Sequence, residues 1–231
     1  MADTAIIDID GTLVDTNYQH ALAWFRAFGR FGIGLPLWRI HRHIGMGGDQ
    51  LVPALAGAEV EQEHGDALRE AWSEEFEPYL AEIRPFDGAA ELLAELARRG
   101  LTVVLASSGR PRHVEHFLDL VDGREHSTAW TTSEDVDTTK PEPDLFRVAL
   151  ERAGGGSAVV VGDSTWDFVA ARRLGLPGLA VRTGGFASGE LREAGADRVF
   201  DSPAELLNEL DGTPLAGEPR RADQARRPTP T

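Results

Sequence analysis

The sequence predicts an α/β protein in which a doubly wound parallel sheet carries an all-helical insertion. Short β-branched and apolar runs, typical of buried strands, alternate with amphipathic helical segments over residues 85–210. One further run of this kind, at residues 4–8, stands alone near the start of the chain. Between them, from about residue 17 to residue 84, apolar residues recur only at helical spacing. The insertion therefore follows the first strand.

The predicted strands and helices of the sheet domain alternate along the chain. The strands cover residues 4–8, 101–106, 128–131, 158–161, 179–181 and 198–200. The helices cover residues 88–99, 111–120, 143–153, 168–174 and 203–210. Gly100, directly after the first of these helices, is typical of a helix C-terminus. Strands that alternate with helices favour parallel pairing through crossover connections.

Four helices are predicted in the insertion, and a tail is predicted at the end. The insertion helices lie near residues 21–28, 37–44, 51–55 and 67–80. We expect a core domain of residues 1–16 and 85–212 and a helical domain of residues 17–84. Residues 213–231 are rich in Pro, Arg and Ala without periodicity, which predicts a disordered tail.

Composition excludes several classes of protein. The 231 residues carry a formal net charge of -15, which disfavours binding to nucleic acid or to an anionic membrane surface. There is no Cys, so disulfides and thiolate chemistry are excluded. No apolar run approaches a membrane span, and no secretory signal is visible, so we expect a cytoplasmic protein. Lys140 is the single Lys beside 22 Arg, which indicates a specific need for a compact ammonium group there.

Polar residues that follow the predicted strands, and one Lys that precedes a predicted helix, lie at the edge where ligands bind in open parallel sheets. These residues are Asp8, Asp10, Ser107, Lys140, Asp163 and Asp167. Carboxylate oxygens suit Mg²⁺, and a carboxylate can also attack phosphorus as a nucleophile. A second carboxylate can serve as general acid and base, while Lys and Ser can hold phosphoryl oxygens. The set predicts Mg²⁺-dependent phosphoryl transfer.

Four segments resemble the four motifs of the haloacid dehalogenase-like hydrolase superfamily, in the same order. They are DIDGTLVDT at residues 8–16, ASSG at 106–109, KPEPDLF at 140–146 and VVVGDSTWD at 159–167. The first segment fits its motif without departure. The insertion matches the helical cap of the subclass that contains phosphoglycolate phosphatase and β-phosphoglucomutase. We therefore call residues 17–84 the cap.

The resemblance implies a role for each matching residue. Asp8 is then the nucleophile and Asp10 the general acid and base. The phosphoryl group is bound by Thr12, Ser107, Ser108 and Lys140. Mg²⁺ is held by Asp8, the Asp10 carbonyl and Asp163, with Asp167 through water or in an outer layer. The implied substrate is a small phosphorylated metabolite, acted on by a monomer or homodimer.

Within the family, two reactions are disfavoured. True dehalogenases lack the second Asp of the first motif, whereas Asp10 is present here. Phosphonatases use a cap Lys, and residues 17–84 contain none. A sugar phosphomutase of the β-phosphoglucomutase type remains as an alternative to a phosphatase, and a non-catalytic binding module on the same fold is a further one. The intact set of Asp8, Asp10, Lys140 and Asp163 favours an enzyme.

Cap residues bear on the choice between phosphatase and mutase. His20 lies where the mutases carry a cap His, and it has an equally good interpretation as a helix-face residue near the hinge. The segment IGMGGDQL at residues 44–51 resembles the mutase specificity loop. We expect Gly45 to Asp49 to enter the site, because Gly45, Gly47 and Gly48 allow close approach to a ligand. Gly48 stands where the mutases have an Arg that grips a second phosphate, which favours hydrolysis.

Overall fold

Six parallel strands form the central sheet of the computed structural model, which describes residues 2–217. They are β1 Thr4–Asp8, β2 Thr102–Ala106, β3 Ala129–Thr131, β4 Ala158–Gly162, β5 Gly178–Val181 and β6 Arg198–Phe200. Their spatial order is β3-β2-β1-β4-β5-β6, and each neighbouring pair is parallel. The order reverses between β1 and β4, so the predicted doubly wound parallel fold is confirmed.

Helices separate the strands along the chain and follow the last one. Between β1 and β2 lie the cap helices α1 Asn17–Arg30, α2 Leu37–His41, α3 Gly48–Ala56 and α4 Ala58–Phe76. The later helices are α5 Ala89–Arg98, α6 Pro111–Leu120, α7 Gly123–His126, α8 Asp144–Arg152, α9 Thr165–Arg173, α10 Ser188–Ala194 and α11 Pro203–Asn208. Short 3-10 turns cover Glu77–Glu82, Ser133–Asp135, Arg182–Gly184 and Leu210–Gly212. None of the helices within residues 2–217 has the length and apolar character needed to cross a membrane.

The central strands are apolar on both faces because helices cover both faces. Every residue of β1 is buried. Ile7 belongs to a core cluster that includes Leu92 and Leu93 of α5, whereas Ile6 packs in a second cluster with Phe146 of α8. Side chains alternate between the two faces of a strand, so neighbouring residues enter different cores. A strand buried in this way has a continuous apolar sequence.

The cap is built on contacts of α4 with α1 and α3. Ala21, Trp24 and Phe28 are buried on one face of α1, at the spacing of an amphipathic helix. Helix α4 begins at Ala58, nine residues before the predicted start at residue 67. The stretch AEVEQEHGD has few apolar residues and therefore little periodicity, but Ala, Glu and Gln are good helix formers.

Two strand-like linkers join the cap to the core and run side by side. The Asp15 amide donates to the Arg84 carbonyl at 3.0 Å, and the Phe86 amide donates to the Leu13 carbonyl at 2.9 Å. Val14 also forms an antiparallel bridge with Pro85. The chain therefore enters and leaves the cap through one paired crossing.

The first residues of the predicted tail are ordered. Leu215 is fully buried in the main core cluster. The Ala2 amide donates to the Pro214 carbonyl at 3.0 Å, and Arg99 donates to the Ala216 carbonyl at 2.9 Å. The tail prediction is therefore incorrect for residues 213–217, because Leu215, the one large apolar residue of the predicted tail, anchors them. Residues 218–231 lie outside the described part of the chain.

Candidate active site

The carboxyl ends of β1, β2 and β4 bring the predicted polar residues together. Asp8 is the last residue of β1, Ser107 directly follows β2 and Asp163 directly follows β4. Because β1 lies between β2 and β4, the three side chains meet at the centre of one sheet edge. Lys140 reaches the same point from the segment before α8, and Asp167 from the first turn of α9.

Lys140 is an ammonium group buried between two carboxylates. Its Nζ donates to Asp8 Oδ1 at 2.5 Å and to Asp167 Oδ1 at 2.8 Å, and the residue is 2% exposed. Burial by itself lowers the pKa of Lys140, but the carboxylates of Asp167 and Asp8 outweigh it and raise the pKa above its ordinary value. The group remains a fixed cation at the base of the site.

Asp8 and Asp167 form a buried cluster with Asp163, and three carboxylates share the charge of one ammonium group there. Oxygens of Asp8, Asp163 and Asp167 lie within 4.8 Å of one another. Burial, followed by the charge of Asp167, raises the pKa of Asp163 to about 7, against hydrogen bonds from Thr12 and Asn17. Burial also raises the pKa of Asp8 well above its ordinary value, against the opposing charge of Lys140. All-oxygen donors under mutual repulsion fit a hard divalent cation.

Asp10 has different surroundings from Asp8. Its Oδ1 lies 2.9 Å from His20 Nε2 and accepts from Thr16 Oγ1 at 3.2 Å, while its Oδ2 accepts from Ser107 Oγ at 2.8 Å. Burial by itself raises the pKa of Asp10. The hydrogen bond and the charge of His20, together with the hydrogen bond from Ser107, outweigh burial and lower the pKa below its ordinary value. The Asp10 carboxylate thus turns away from the acidic cluster.

The predicted phosphate-binding hydroxyls occupy distinct positions. Thr12 Oγ1 bridges two carboxylates, 2.9 Å from Asp163 Oδ1 and 3.2 Å from Asp8 Oδ2. Ser107 Oγ accepts from the Gly109 amide at 2.9 Å besides donating to Asp10. Ser108 lines the cavity described below, and its buried Oγ has no hydrogen-bond partner among the described residues.

Asn17 is a site residue that sequence reasoning missed. Its Nδ2 donates to Asp163 Oδ2 at 2.8 Å and to the Gly184 carbonyl at 3.3 Å. The first residue of the cap therefore touches a carboxylate of the acidic cluster. Gly11, with φ of 77°, fits against this pair, because a Cβ there would lie 2.4 Å from Asn17 Oδ1 and 2.5 Å from Asp163 Oδ2. An Asn directly after the first motif was the available signal.

A cavity of about 240 Å³ lies between the cap and the core. Of the predicted residues, it is lined by Asp8, Asp10, His20, Gly45, Gly48, Ser108 and Lys140. Asp49, the end of the predicted loop, also lines it, whereas sequence analysis missed several further lining residues, among them Trp24, Arg69, Trp72, Arg110 and Asp137. Aromatic residues at helical spacing are expected as interior packing; Trp24 and Trp72 are indeed nearly buried, and they also form a wall of the cavity.

The predicted cap loop contacts the core directly. Asp49 accepts from the Thr139 amide at 3.0 Å and also from the Thr139 hydroxyl. Gly47 does not line the cavity and packs on Thr139 instead, where a Cβ would lie 2.2 Å from Oγ1. Gly45 packs in the same way against Ser164. Because Thr139 precedes Lys140, the cap loop is seated on the segment that supplies the buried ammonium group.

Comparisons with known proteins point to one family. A model described as haloacid dehalogenase-like hydrolase matches residues 2–175. The N-acetylmuramic acid 6-phosphate phosphatase of Pseudomonas aeruginosa is 28% identical over 214 residues, covering 89% of this chain and 93% of that protein. A hydrolase from Pseudomonas syringae has a TM-score of 0.85 and 36% identity over 90% of this chain and 98% of its own. CbbY from Rhodobacter sphaeroides, solved with xylulose-(1,5)bisphosphate, has a TM-score of 0.70 and 27% identity. The match covers 89% of this chain and 96% of the CbbY chain.

Proposed function

Because the chain belongs to the haloacid dehalogenase-like hydrolases, we propose that it is a Mg²⁺-dependent phosphatase that hydrolyses a small phosphomonoester through an aspartyl-phosphate intermediate. The observation that carries this proposal is the contrast between two neighbouring carboxylates. Asp8 is held by Lys140 inside the acidic cluster, whereas Asp10 is held by His20 and Ser107 outside it. Two carboxylates in different environments suit two different roles.

Asp8 is the proposed nucleophile. Its carboxylate oxygen attacks phosphorus, an Asp8–phosphorus bond forms, and the bond from phosphorus to the ester oxygen breaks. Lys140 and Ser108 hold the phosphoryl oxygens, because the first carries a fixed positive charge and the second a free hydroxyl. Water then attacks the phosphorus of the aspartyl-phosphate, which releases inorganic phosphate and restores Asp8.

Asp10 is the proposed proton carrier. In the free enzyme its lowered pKa makes it a carboxylate paired with His20. An arriving phosphate ester adds negative charge beside it, which raises its pKa and favours uptake of a proton. Asp10 gives that proton to the departing ester oxygen and takes one back from the attacking water. Asp10 is then protonated again, and it loses this proton when phosphate leaves, which restores the carboxylate of the free enzyme.

Mg²⁺ fits the acidic cluster. Asp8 and Asp163 would hold it by their carboxylates and Asp10 by its main-chain carbonyl, with Asp167 nearby. When bound, the ion neutralises negative charge on the carboxylates and on the phosphoryl group. Thr12 and Asn17 keep Asp163 oriented by donating to both of its oxygens.

A panel of phosphorylated metabolites assayed for free phosphate tests the proposal. We expect Mg²⁺-dependent release of phosphate that excess EDTA abolishes; full turnover in EDTA would refute the metal requirement. The panel includes β-glucose 1-phosphate with a catalytic amount of β-glucose 1,6-bisphosphate. Efficient formation of glucose 6-phosphate with negligible phosphate release would instead identify a mutase.

A further inference from the structure

The cavity extends from Asp10 into the cap along a row of aromatic rings. His20 pairs with Asp10, its ring lies 5.5 Å from that of Trp72, and the Trp72 ring stacks on Trp24 at 5.4 Å with an interplanar angle of 17°. Gly48 packs against both Arg69 and Trp24. The part of the cavity beyond His20 must receive the leaving group of the ester, and we call it the leaving-group chamber.

The two arginines of the leaving-group chamber are already neutralised by carboxylates. Arg69 Nη1 contacts both oxygens of Glu61, at 2.9 and 3.0 Å, and Nη2 donates to Asp66 at 2.8 Å. Arg110 donates to Glu70 at 3.0 Å and to the Arg69 carbonyl at 3.2 Å. Both terminal nitrogens of each guanidinium therefore have partners within the protein. An anionic ligand would have to compete with these carboxylates.

The rest of the chamber wall adds negative charge and hydrogen-bond acceptors. Asp49 and Asp137 line the same cavity. Glu61, Asp66 and Glu70 offset the charge of the two arginines from outside the cavity lining, which leaves Asp49 and Asp137 as negative charge in the chamber wall. A carboxylate or second phosphate on the leaving group would meet like charge there. Hydroxyl groups would instead donate to the carboxylate oxygens.

The shape and the apolar wall fit one small ring. Trp24, Trp72, Ile44, Met46 and Val136 give the chamber a largely apolar surface. Aromatic faces of this kind provide contact area for the C–H face of a ring while polar groups fix its orientation. A volume of about 240 Å³ limits the ligand to a single small ester.

We propose that the leaving group is uncharged and rich in hydroxyl groups, as in a monosaccharide or a cyclitol, and that the chamber selects against a carboxylate or second phosphate on it. The inference rests on the proposed phosphatase activity. It concerns the leaving-group chamber, which does not take part in the chemical steps.

Matched pairs of esters test this selection. Glucose 1-phosphate and glucuronic acid 1-phosphate differ only in a hydroxymethyl group against a carboxylate, and glycerol 3-phosphate and 3-phosphoglycerate differ in the same way. We expect kcat/KM to be at least about tenfold higher for the neutral member of each pair, because one like-charge contact at reduced dielectric is worth that much. Equal or faster hydrolysis of the carboxylate members, or hydrolysis of neither member, would overturn the inference.

A charge variant adds an independent test. Glu61→Gln removes a carboxylate from Arg69, so the ratio of kcat/KM for neutral over carboxylate esters should fall several-fold. Glu74→Gln is the matched control, because it makes the same charge change on α4 but removes a partner of Arg30 at the surface. A ratio that does not move in Glu61→Gln, or moves equally in Glu74→Gln, would contradict the inference.

Hydrolysis of p-nitrophenyl phosphate distinguishes a failure of this inference from a failure of the proposed function. Phosphate release from this ester without preference for the neutral member of each pair would overturn the inference and leave the proposed function standing. No phosphate release from any ester in the presence of Mg²⁺ would overturn the proposed function, and the inference with it.

Discussion

At the scale of single residues, the site depends on two carboxylates that are two positions apart and differently held. Asp8 ends a buried strand and faces Lys140, whereas Asp10 lies beyond the strand and faces His20 and Ser107. The first environment keeps an attacking oxygen beside a fixed cation. The second lets a carboxylate exchange protons with an ester oxygen or with water.

Substitutions at these two residues should therefore have different effects. Asp8→Asn removes the attacking oxygen, and kcat should fall by at least about 10³-fold. Asp10→Asn leaves the main-chain carbonyl in place but removes proton transfer, so kcat should fall by about 10²–10⁴-fold while Mg²⁺ still raises the melting temperature. Steady-state phosphate release and thermal unfolding with and without Mg²⁺ measure both effects. Wild-type turnover by Asp8→Asn would exclude the covalent mechanism.

Asp163 should make metal binding dependent on pH. Its pKa of about 7 in the metal-free protein lies above its ordinary value, so folding takes up a proton there. This proton uptake stabilises the folded state. The stabilisation is fully present below the ordinary pKa of Asp and is lost as the pH rises through about 7. Mg²⁺ must displace the same proton, so the increase in melting temperature caused by Mg²⁺ should grow between pH 6 and pH 8. Asp163→Asn should reduce this growth, which leaves Asp8 as the other proposed ligand with a raised pKa. An unchanged pH dependence in the variant would assign it to other groups.

At the scale of elements, the loop between α2 and α3 seats the cap on the core. Asp49 accepts from two groups of Thr139, and Gly47 packs on the same residue without room for a side chain. The paired linkers near residues 14 and 85 form the one crossing between the two parts of the chain. Seating of the cap and the position of Lys140 are therefore connected through Thr139.

Gly47→Ala should hold the cap away from the site. Its Cβ would lie 2.2 Å from Thr139 Oγ1, so the loop must shift, and kcat/KM should fall by about 10²-fold. Gly29→Ala is the control, because nothing lies within 4 Å of a Cβ at that position in α1. It should raise the free energy of unfolding by about 0.5–1 kcal/mol and leave kcat/KM unchanged. Equal activity of the two variants would show that the loop need not approach Thr139 closely.

At the scale of the whole molecule, the sequence was sufficient to predict features that rest on local patterns. The apolar run at residues 4–8 and the motif residues after each strand specify the sheet and its polar edge, since parallel strands bring their carboxyl ends together. The match of the family model to residues 2–175 confirms a hydrolase enzyme of the predicted family rather than a binding module.

Features that depend on tertiary contacts could not be predicted in this way. Trp72 and Arg69 lie on α4, which has weak apolar periodicity, and only the packing of α4 against α1 brings them to the cavity. Asn17 reaches Asp163 across 146 positions of sequence. Leu215 is buried in the core although the sequence around it has no apolar periodicity. In each case the partner is remote in the chain, and the residue type alone indicates no contact.

The central claim is that the phosphoryl group is transferred to the carboxylate of Asp8 before it is released as phosphate. Trapping the aspartyl-phosphate tests this claim most directly. Enzyme mixed with Mg²⁺ and a hydrolysable phosphomonoester is quenched in acid within the first turnover, and its peptides are analysed by mass spectrometry. We predict a phosphoryl group on the peptide that contains Asp8, present in the wild type, enriched in Asp10→Asn and absent from Asp8→Asn or in excess EDTA. Rapid phosphate release by Asp8→Asn, with no phosphoryl group at Asp8 in the wild type, would contradict the account.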